Sequence, residues 1–298
     1  MVRESPRSVY RSPEARAAVL AAYDALLRDW PVPYAEIDVP TRYGKVHVVV
    51  SGPDDGVPVL MFHAASMASV SWAPNIEPLV AAGFKTFAVD YIGEAGRSVL
   101  DDIGVFPKTP RDIGSLGAEI ADQLEIDGGP VIGASAGGHA AMRYALDNPD
   151  RVSKLVLLGP MGITPLSFGA VVRMMMVSMF PSAGRIERAN RWALGEAPGV
   201  SERYRMWFST VLRDIGSPPR VGRPKALDRD EKEMLAMPVL LVLGDKDNLV
   251  GDPSRAIRRS QDFRNIRVDV LHSGHIVGVE QAALVNQLLV EFITSKEA

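Results

Sequence analysis

The chain contains no cysteine in 298 residues. That single absence excludes disulfides, thiolate metal sites and a cysteine nucleophile. An excess of charge is also missing: 33 Lys and Arg stand against 36 Asp and Glu, for a net charge of -3. Nothing in that balance argues for nucleic acid or an anionic membrane surface as a partner. No apolar run is long enough to span a bilayer, and residues 1–30 are too interrupted by charge to form the apolar core of a signal peptide. The expectation is a cytoplasmic protein with no membrane span. What is abundant is apolar side chain, 47% of residues with 23% charged, enough for one large domain or a domain with an insertion.

Ser12 and Pro13 form an N-cap and first-turn pair that opens an amphipathic helix running toward Trp30 and packing on the outside of the core. In "AEIDVPTRYGKVHVVVSG" a turn at Tyr43-Gly44 separates two alternating runs, which predicts a hairpin. The rhythm then changes to short apolar runs: "VPVLMFH", "FKTFAVD", "GPVIGAS", "KLVLLGP", "PVLLVLGD" and "IRVDVLH". Such runs suit strands buried on both faces. Segments of helical period such as "APNIEPLVAAG" lie between most of them, which predicts a mostly parallel, doubly wound α/β sheet.

From Gly159 to Pro238 the alternation stops, and a segment rich in Met, Arg and aromatics reads as a helical cap over the sheet. The expected division is an N-terminal helical extension over 1–30, a core over 31–160 and 236–298, and a cap over 161–235. Met174, Met175, Met176 and Met179 either line an adaptable binding surface or form the packed face of a cap helix. Arginine outnumbers the acids between Arg185 and Lys225, for which a solvated lid surface is preferred over a site for acidic substrates.

The carboxyl ends of parallel strands share one edge, where ligands bind. Ser135 falls where "PVIGA" ends and the helix "AGGHAAMRYAL" begins, inside Gly133-Ala134-Ser135-Ala136-Gly137. This is the G-x-S-x-G pattern of a nucleophile elbow, a strained turn that projects a serine hydroxyl into the cleft. Its small neighbours answer an uncommon backbone conformation and a close approach of adjacent strands.

A serine needs a base to take its proton. His47 sits in the hairpin, and His139 follows the elbow in its own helix and points away. His63 ends a strand and His272 belongs to another strand end. His275, on a glycine-flanked loop after the last strand, is the expected base. Of the acids in "PVLLVLGDKDNLVGDP", Asp245 shapes the turn, Asp247 is expected to fix the tautomer of His275, and Asp252 is held in reserve. The oxyanion donors expected are the amides of Ala136 and Ala65, with Ala64 as the alternative to Ala65 and His63 orienting that loop.

From Tyr34 to its end the chain resembles an α/β-hydrolase, on the ordered landmarks "FHAAS", "AVDYIGEAGRS", "GASAGG", "PVLLVLGDKDNLV" and "SGHIVGVEQ". It is most similar to single-domain bacterial carboxylesterases, including the type that cleaves naproxen esters. Two departures stand out: His63-Ala64 replaces the usual His-Gly, and "GEAG", Gly93 to Gly96, carries an extra residue with Glu94 where histidine is common. The resemblance implies a serine hydrolase that cleaves carboxylic esters through an acyl-enzyme, with no metal and no organic cofactor. A serine at the elbow argues against dehalogenase or epoxide hydrolase chemistry, which uses aspartate there. Lactone opening, perhydrolysis, carbon-carbon bond cleavage and acyl transfer remain open on the same triad, as does a non-catalytic binding protein. The expected partner is a small-molecule ester, and a homodimer stays open. Met175, Met179, Trp207 and Phe208 are candidate pocket walls, and Trp72 either faces the cleft or lies beneath the cap.

Overall fold

The computed structural model describes residues 9–165, 167–194, 200–216, 225–250 and 252–296. Helix α1 (Pro13–Leu27) starts where Ser12 accepts a hydrogen bond from the Ala15 amide at 3.1 Å. Strands β1 (Tyr34–Thr41) and β2 (Gly44–Ser51) pair antiparallel, with Thr41 opposite Gly44. The turn residues are therefore Arg42 and Tyr43, one position earlier than the sequence suggested, and Gly44 opens the second strand. The chain continues through β3 (Val57–Phe62), α2 (Ala73–Ala81), β4 (Phe84–Val89), the short β5 (Val99–Leu100), α3 (Pro110–Gln123), β6 (Gly129–Ala134), α4 (Ala136–Asp147) and β7 (Val152–Leu158). Among the described residues four helices then precede the next strand: α5 (Phe168–Met179), α6 (Ala183–Leu194), α7 (Glu202–Asp214) and α8 (Arg229–Met234). The chain closes with β8 (Val239–Gly244), α9 (Pro253–Ser260), β9 (Ile266–Leu271), α10 (Val277–Glu280) and α11 (Ala282–Thr294).

The sheet runs β1-β2-β4-β3-β6-β7-β8-β9, with β5 attached to β2. The pairs from β4 through β9 are parallel, and only the hairpin side is antiparallel. Alternate side chains divide between two hydrophobic layers: Met61, Ile132, Leu240 and Val242 face α2 and α11, whereas Leu60, Val131, Leu241 and Leu243 face α3 and α4. This is why the central strands read as continuous apolar runs. "IRVDVLH" is the exception, because β9 is the edge strand and is only half-buried.

Helix α1 packs against α7 rather than on an outer surface of the core. Its Val19 and Tyr23 are fully buried, and the Tyr23 ring meets Trp207 edge-on at 6.0 Å. Burying side chains of this size is worth roughly 1.5–3 kcal/mol each. The Tyr10 hydroxyl donates to the Gly96 carbonyl at 2.7 Å, and Tyr10 bridges to Ile215 beyond α7. The described part of the N-terminal segment thus straps α7 to the sheet. Among the described residues no helix is long and apolar enough to cross a membrane.

Candidate active site

Four loops meet at the carboxyl edge of the sheet, following β3, β6, β8 and β9. Ser135 lies between β6 and α4 with φ 50° and ψ -114°, a strained backbone for a non-glycine residue. Its amide donates to the Leu158 carbonyl at 3.0 Å, and its own carbonyl accepts from the amides of Met161 at 2.9 Å and His139 at 3.3 Å. The backbone therefore holds the turn without using the hydroxyl. A Cβ on Gly137 would lie 2.1 Å from the Phe62 carbonyl oxygen and 2.5 Å from that of His63. The helix start and the end of β3 touch backbone to backbone, which is why the elbow carries so little bulk.

The Ser135 hydroxyl lies 2.8 Å from Nε2 of His275, and Nδ1 of His275 lies 2.8 Å from Oδ2 of Asp247. All three side chains are buried. The other carboxylate oxygen of Asp247 accepts the amides of Leu249 at 2.8 Å and Val250 at 3.0 Å. Burial alone would raise this carboxyl, but the hydrogen bond and charge of His275, together with those two amides, hold it below its ordinary value. Asp247 is thus a carboxylate acceptor at Nδ1 of His275, on the side of the ring away from the Ser135 hydroxyl. The imidazole reaches Ser135 across the end of β7, where Gly159 adopts φ 50° and a Cβ would lie 3.0 Å from the His275 carbonyl oxygen.

The other acids and histidines have different work. Asp245 accepts from the Ser273 amide at 3.1 Å and meets His272 at 2.8 Å, and His272 is exposed. Asp252 caps α9 through the Ser254 amide at 2.8 Å. His47 is held between Glu36 and Asp38. His139 packs with Arg143, which binds Glu231 at 2.5 Å, and burial next to that guanidinium pushes the imidazole down to about 4. In His63, Nε2 accepts the Tyr91 amide at 2.8 Å and Nδ1–H donates to the Ala64 carbonyl at 2.8 Å. Both nitrogens are occupied, so His63 ties the loop after β3 to the end of β4. Burial lowers its pKa despite Asp90 nearby.

Ala65 lines the cavity in front of Ser135. Ala136 is the first residue of α4, where amides have no intrahelical acceptor. Among the described residues neither amide has a partner in the fold. The adjacent Ser66 has φ 61°, and its amide donates to Glu94 at 3.0 Å. Glu94 thus anchors the loop that presents Ala65.

Burial raises the Glu94 carboxyl to about 6 from 4.5, against the opposing hydrogen bond from Ser66. Between those values the folded chain keeps a proton that the unfolded chain has lost, so stability falls as pH rises through the window. Glutamine accepts the same amide and never ionises. Glu94→Gln is therefore expected to melt higher relative to the parent at pH 7.5 than at pH 4.5, and an equal difference at both pH values contradicts this.

The site opens into a cavity of about 290 Å³ between the sheet edge and helices α5, α6 and α7. Met175 and Phe208 line it. Trp207 and Trp72 do not: they are 0% and 3% exposed and belong to the hydrophobic layer shared with α1 and α2. Met179 also lies outside the lining, near the end of α5, where it is 58% exposed. Met176 is exposed as well, and the Met174 side chain lies outside the described residues.

Sequence reasoning passed over Glu280. Its carboxylate accepts the amides of Gly274 at 2.8 Å and Ile276 at 3.1 Å, clamping the backbone on both sides of His275. The signal available was its place in "SGHIVGVEQ", a buried glutamate closing the loop that begins at the histidine.

Comparison with known proteins agrees with this architecture. Residues 59–288 match the model of the alpha/beta hydrolase family. The chain is 28% identical over 281 residues to a Bacillus subtilis protein named "Uncharacterized carboxylesterase nap", covering 92% of this chain and 91% of that one. The solved structure of naproxen esterase (carboxylesterase NP) from Bacillus subtilis superposes with a TM-score of 0.87 at 26% identity, covering 95% of this chain and 99% of that one. A 2-hydroxy-6-oxononadienedioate/2-hydroxy-6-oxononatrienedioate hydrolase from Paraburkholderia xenovorans is 25% identical over 256 residues, covering 79% of this chain and 86% of that one. With the family match extending over most of its length, from β3 to α11, the chain belongs to the alpha/beta hydrolase family.

Proposed function

We propose that the protein is a serine hydrolase of carboxylic esters, with Ser135 as nucleophile, His275 as general base and acid, and Asp247 as the partner that orients and stabilises the imidazole. The observation that carries this reading is the unbroken relay from the Ser135 hydroxyl through His275 to Asp247, 2.8 Å at each step, at the floor of an apolar cavity. The carboxylesterase names of its relatives support the substrate class.

In the first half-reaction the Ser135 oxygen attacks the ester carbonyl as its proton passes to Nε2 of His275. The amides of Ala65 and Ala136 receive the oxyanion, and the imidazolium stays paired with Asp247. His275 then protonates the leaving alcohol, leaving an acyl-enzyme on Ser135. Water, deprotonated by the same histidine, attacks this ester; the acid departs and the serine regains its proton. No step calls on a group other than these side chains, the two amides, ester and water.

Carbon-carbon bond hydrolysis is the second reading, favoured by the relative from Paraburkholderia xenovorans. Lactone opening and perhydrolysis use the same groups. Release of p-nitrophenol from acetate and butyrate esters, measured beside a 2-hydroxy-6-oxo-dienoate and a panel of lactones, separates these readings. The ester reading expects the largest kcat/KM on an ester; turnover confined to the dienoate contradicts it.

A further inference from the structure

The cavity in front of Ser135 is apolar almost throughout, and among the described residues its lining holds no Asp, Glu or Lys. Arg173, from α5, is the one permanently charged side chain among the described residues that line it. Arginine is always protonated and presents a rigid fork of five donors that fits a carboxylate. Here that fork is held but not neutralised. The guanidinium carbon stacks 5.1 Å from the centre of the Trp192 ring, which also lines the cavity. Stacking fixes the plane of the guanidinium and leaves its N–H edges free. Among the described residues no carboxylate pairs with Arg173, whereas most arginines of the core and of α7 have one, including Arg97, Arg143, Arg151 and Arg213.

The surroundings have the same sign. Arg173 also borders a groove between α5 and α6 that is lined by Arg185, Arg188 and Arg191 and, among the described residues, by no acidic residue. Glu187, one turn before Arg191, meets it at 3.5 Å and is the acid paired within this group. A cluster of like charge beside an apolar opening raises the local concentration of anions. Arg173 is itself exposed, so an anion that reaches it gains a charge-assisted pair at the open border of the cavity, one that added salt weakens.

We propose that the site takes esters that carry a second, ionised carboxylate, held by Arg173 while the ester carbonyl lies over Ser135. This rests on the esterase reading and names its substrate class. In the reaction the acyl C–O bond breaks, water supplies hydroxyl to the acyl carbon and a proton to the alcohol, and the remote carboxylate is unchanged. The product of a half-ester is a dicarboxylate, and that of a hydroxy-acid ester is two singly charged acids.

The test compares monomethyl adipate, suberate and sebacate with the methyl esters of hexanoate, octanoate and decanoate, and adds acetyl esters of ω-hydroxy acids to place the charge on the alcohol side. For the best chain length, the charged ester is expected to exceed its neutral counterpart in kcat/KM by about tenfold or more at low salt, mainly through KM. Arg173→Gln is expected to lower that ratio about tenfold, Arg173→Lys to give an intermediate ratio, and added salt to reduce it in the parent. A parent ratio at or below one in both series, or a ratio that Arg173→Gln leaves unchanged, overturns the proposal. Calorimetric binding of hexanoate against hexanamide separates the two claims. Hexanoate preferred by the parent and not by Arg173→Gln, with no ester turned over, keeps the anion site and sinks the esterase reading; ester turnover without that preference does the reverse.

Discussion

Ser135→Ala is expected to reduce kcat on a short-chain ester by between about 10⁴- and 10⁶-fold while the protein remains folded. The size of the loss follows from the division of labour. The hydroxyl is the only group that bonds to the acyl carbon, so its removal eliminates the two-step route and leaves only whatever the two amides and the cavity lend to direct attack by water. The fold should tolerate the change because the elbow is closed by backbone bonds, from Ser135 to Leu158, Met161 and His139, none of which involves the hydroxyl. Alanine inherits the same left-handed φ, a strain the turn already carries. What is lost is one hydrogen bond to His275, worth about 1 kcal/mol. A melting temperature within a few degrees of the parent, combined with the kinetic collapse, distinguishes lost chemistry from lost structure. Residual activity within tenfold of the parent contradicts the assignment.

Asp247→Asn should be nearly as damaging, lowering kcat by about 10³- to 10⁴-fold. The amide fits the site but orients itself the wrong way for catalysis. Its carbonyl oxygen is claimed by the Leu249 and Val250 amides, which already bind one oxygen of the aspartate. The NH₂ then points at Nδ1 of His275 and, being a donor, requires a lone pair there. The imidazole proton moves to Nε2, and the nitrogen facing Ser135 can no longer accept. The imidazolium formed on the way to the acyl-enzyme also loses its counter-ion. In the parent the carboxyl is held below its ordinary 3.8, so its contribution to stability is present above that pH and is lost only as pH falls further, through the depressed value. The measurement is kcat on the same ester, with a one-dimensional proton spectrum to follow the imidazole N–H. A loss of less than about tenfold, or an N–H still on Nδ1, is inconsistent with this role for Asp247.

These groups were legible in the sequence because each follows a strand whose end lies on a known edge. Once "PVIGAS" reads as a strand running into a helix, the serine is at the carboxyl edge, and the last two parallel strands must deliver their loops to the same place. The wall of the cavity was harder to read. On α7, Trp207 and Phe208 are consecutive and therefore about 100° apart around the helix axis, so only one of them faces the site. Periodicity shows that the helix has apolar faces but does not say which lies over the cavity, because α1 covers another with Tyr23. Phe208 and Val211 line the cavity, whereas Trp207 turns to Tyr23. Trp72 is buried at the end of the loop after β3, in the same hydrophobic layer as residues of α1 and α2. The roles of Glu280 and Glu94 were harder to read for another reason: each acts through backbone amides, and an acceptor for a main-chain N–H leaves no pattern in side-chain chemistry. The departure "GEAG" did mark Glu94 as unusual, and the structure shows it bound to the amide of Ser66.

The central claim is that one particular hydroxyl, made nucleophilic by its neighbours, attacks an electrophilic centre. Treatment of the intact protein with a fluorophosphonate, followed by whole-protein mass measurement and peptide mapping, tests it most directly. The account predicts one adduct per chain, on the peptide that contains Ser135, absent in Ser135→Ala and formed far more slowly in Asp247→Asn. An adduct on another residue, or ester hydrolysis that continues at full rate with Ser135 unlabelled, would contradict it.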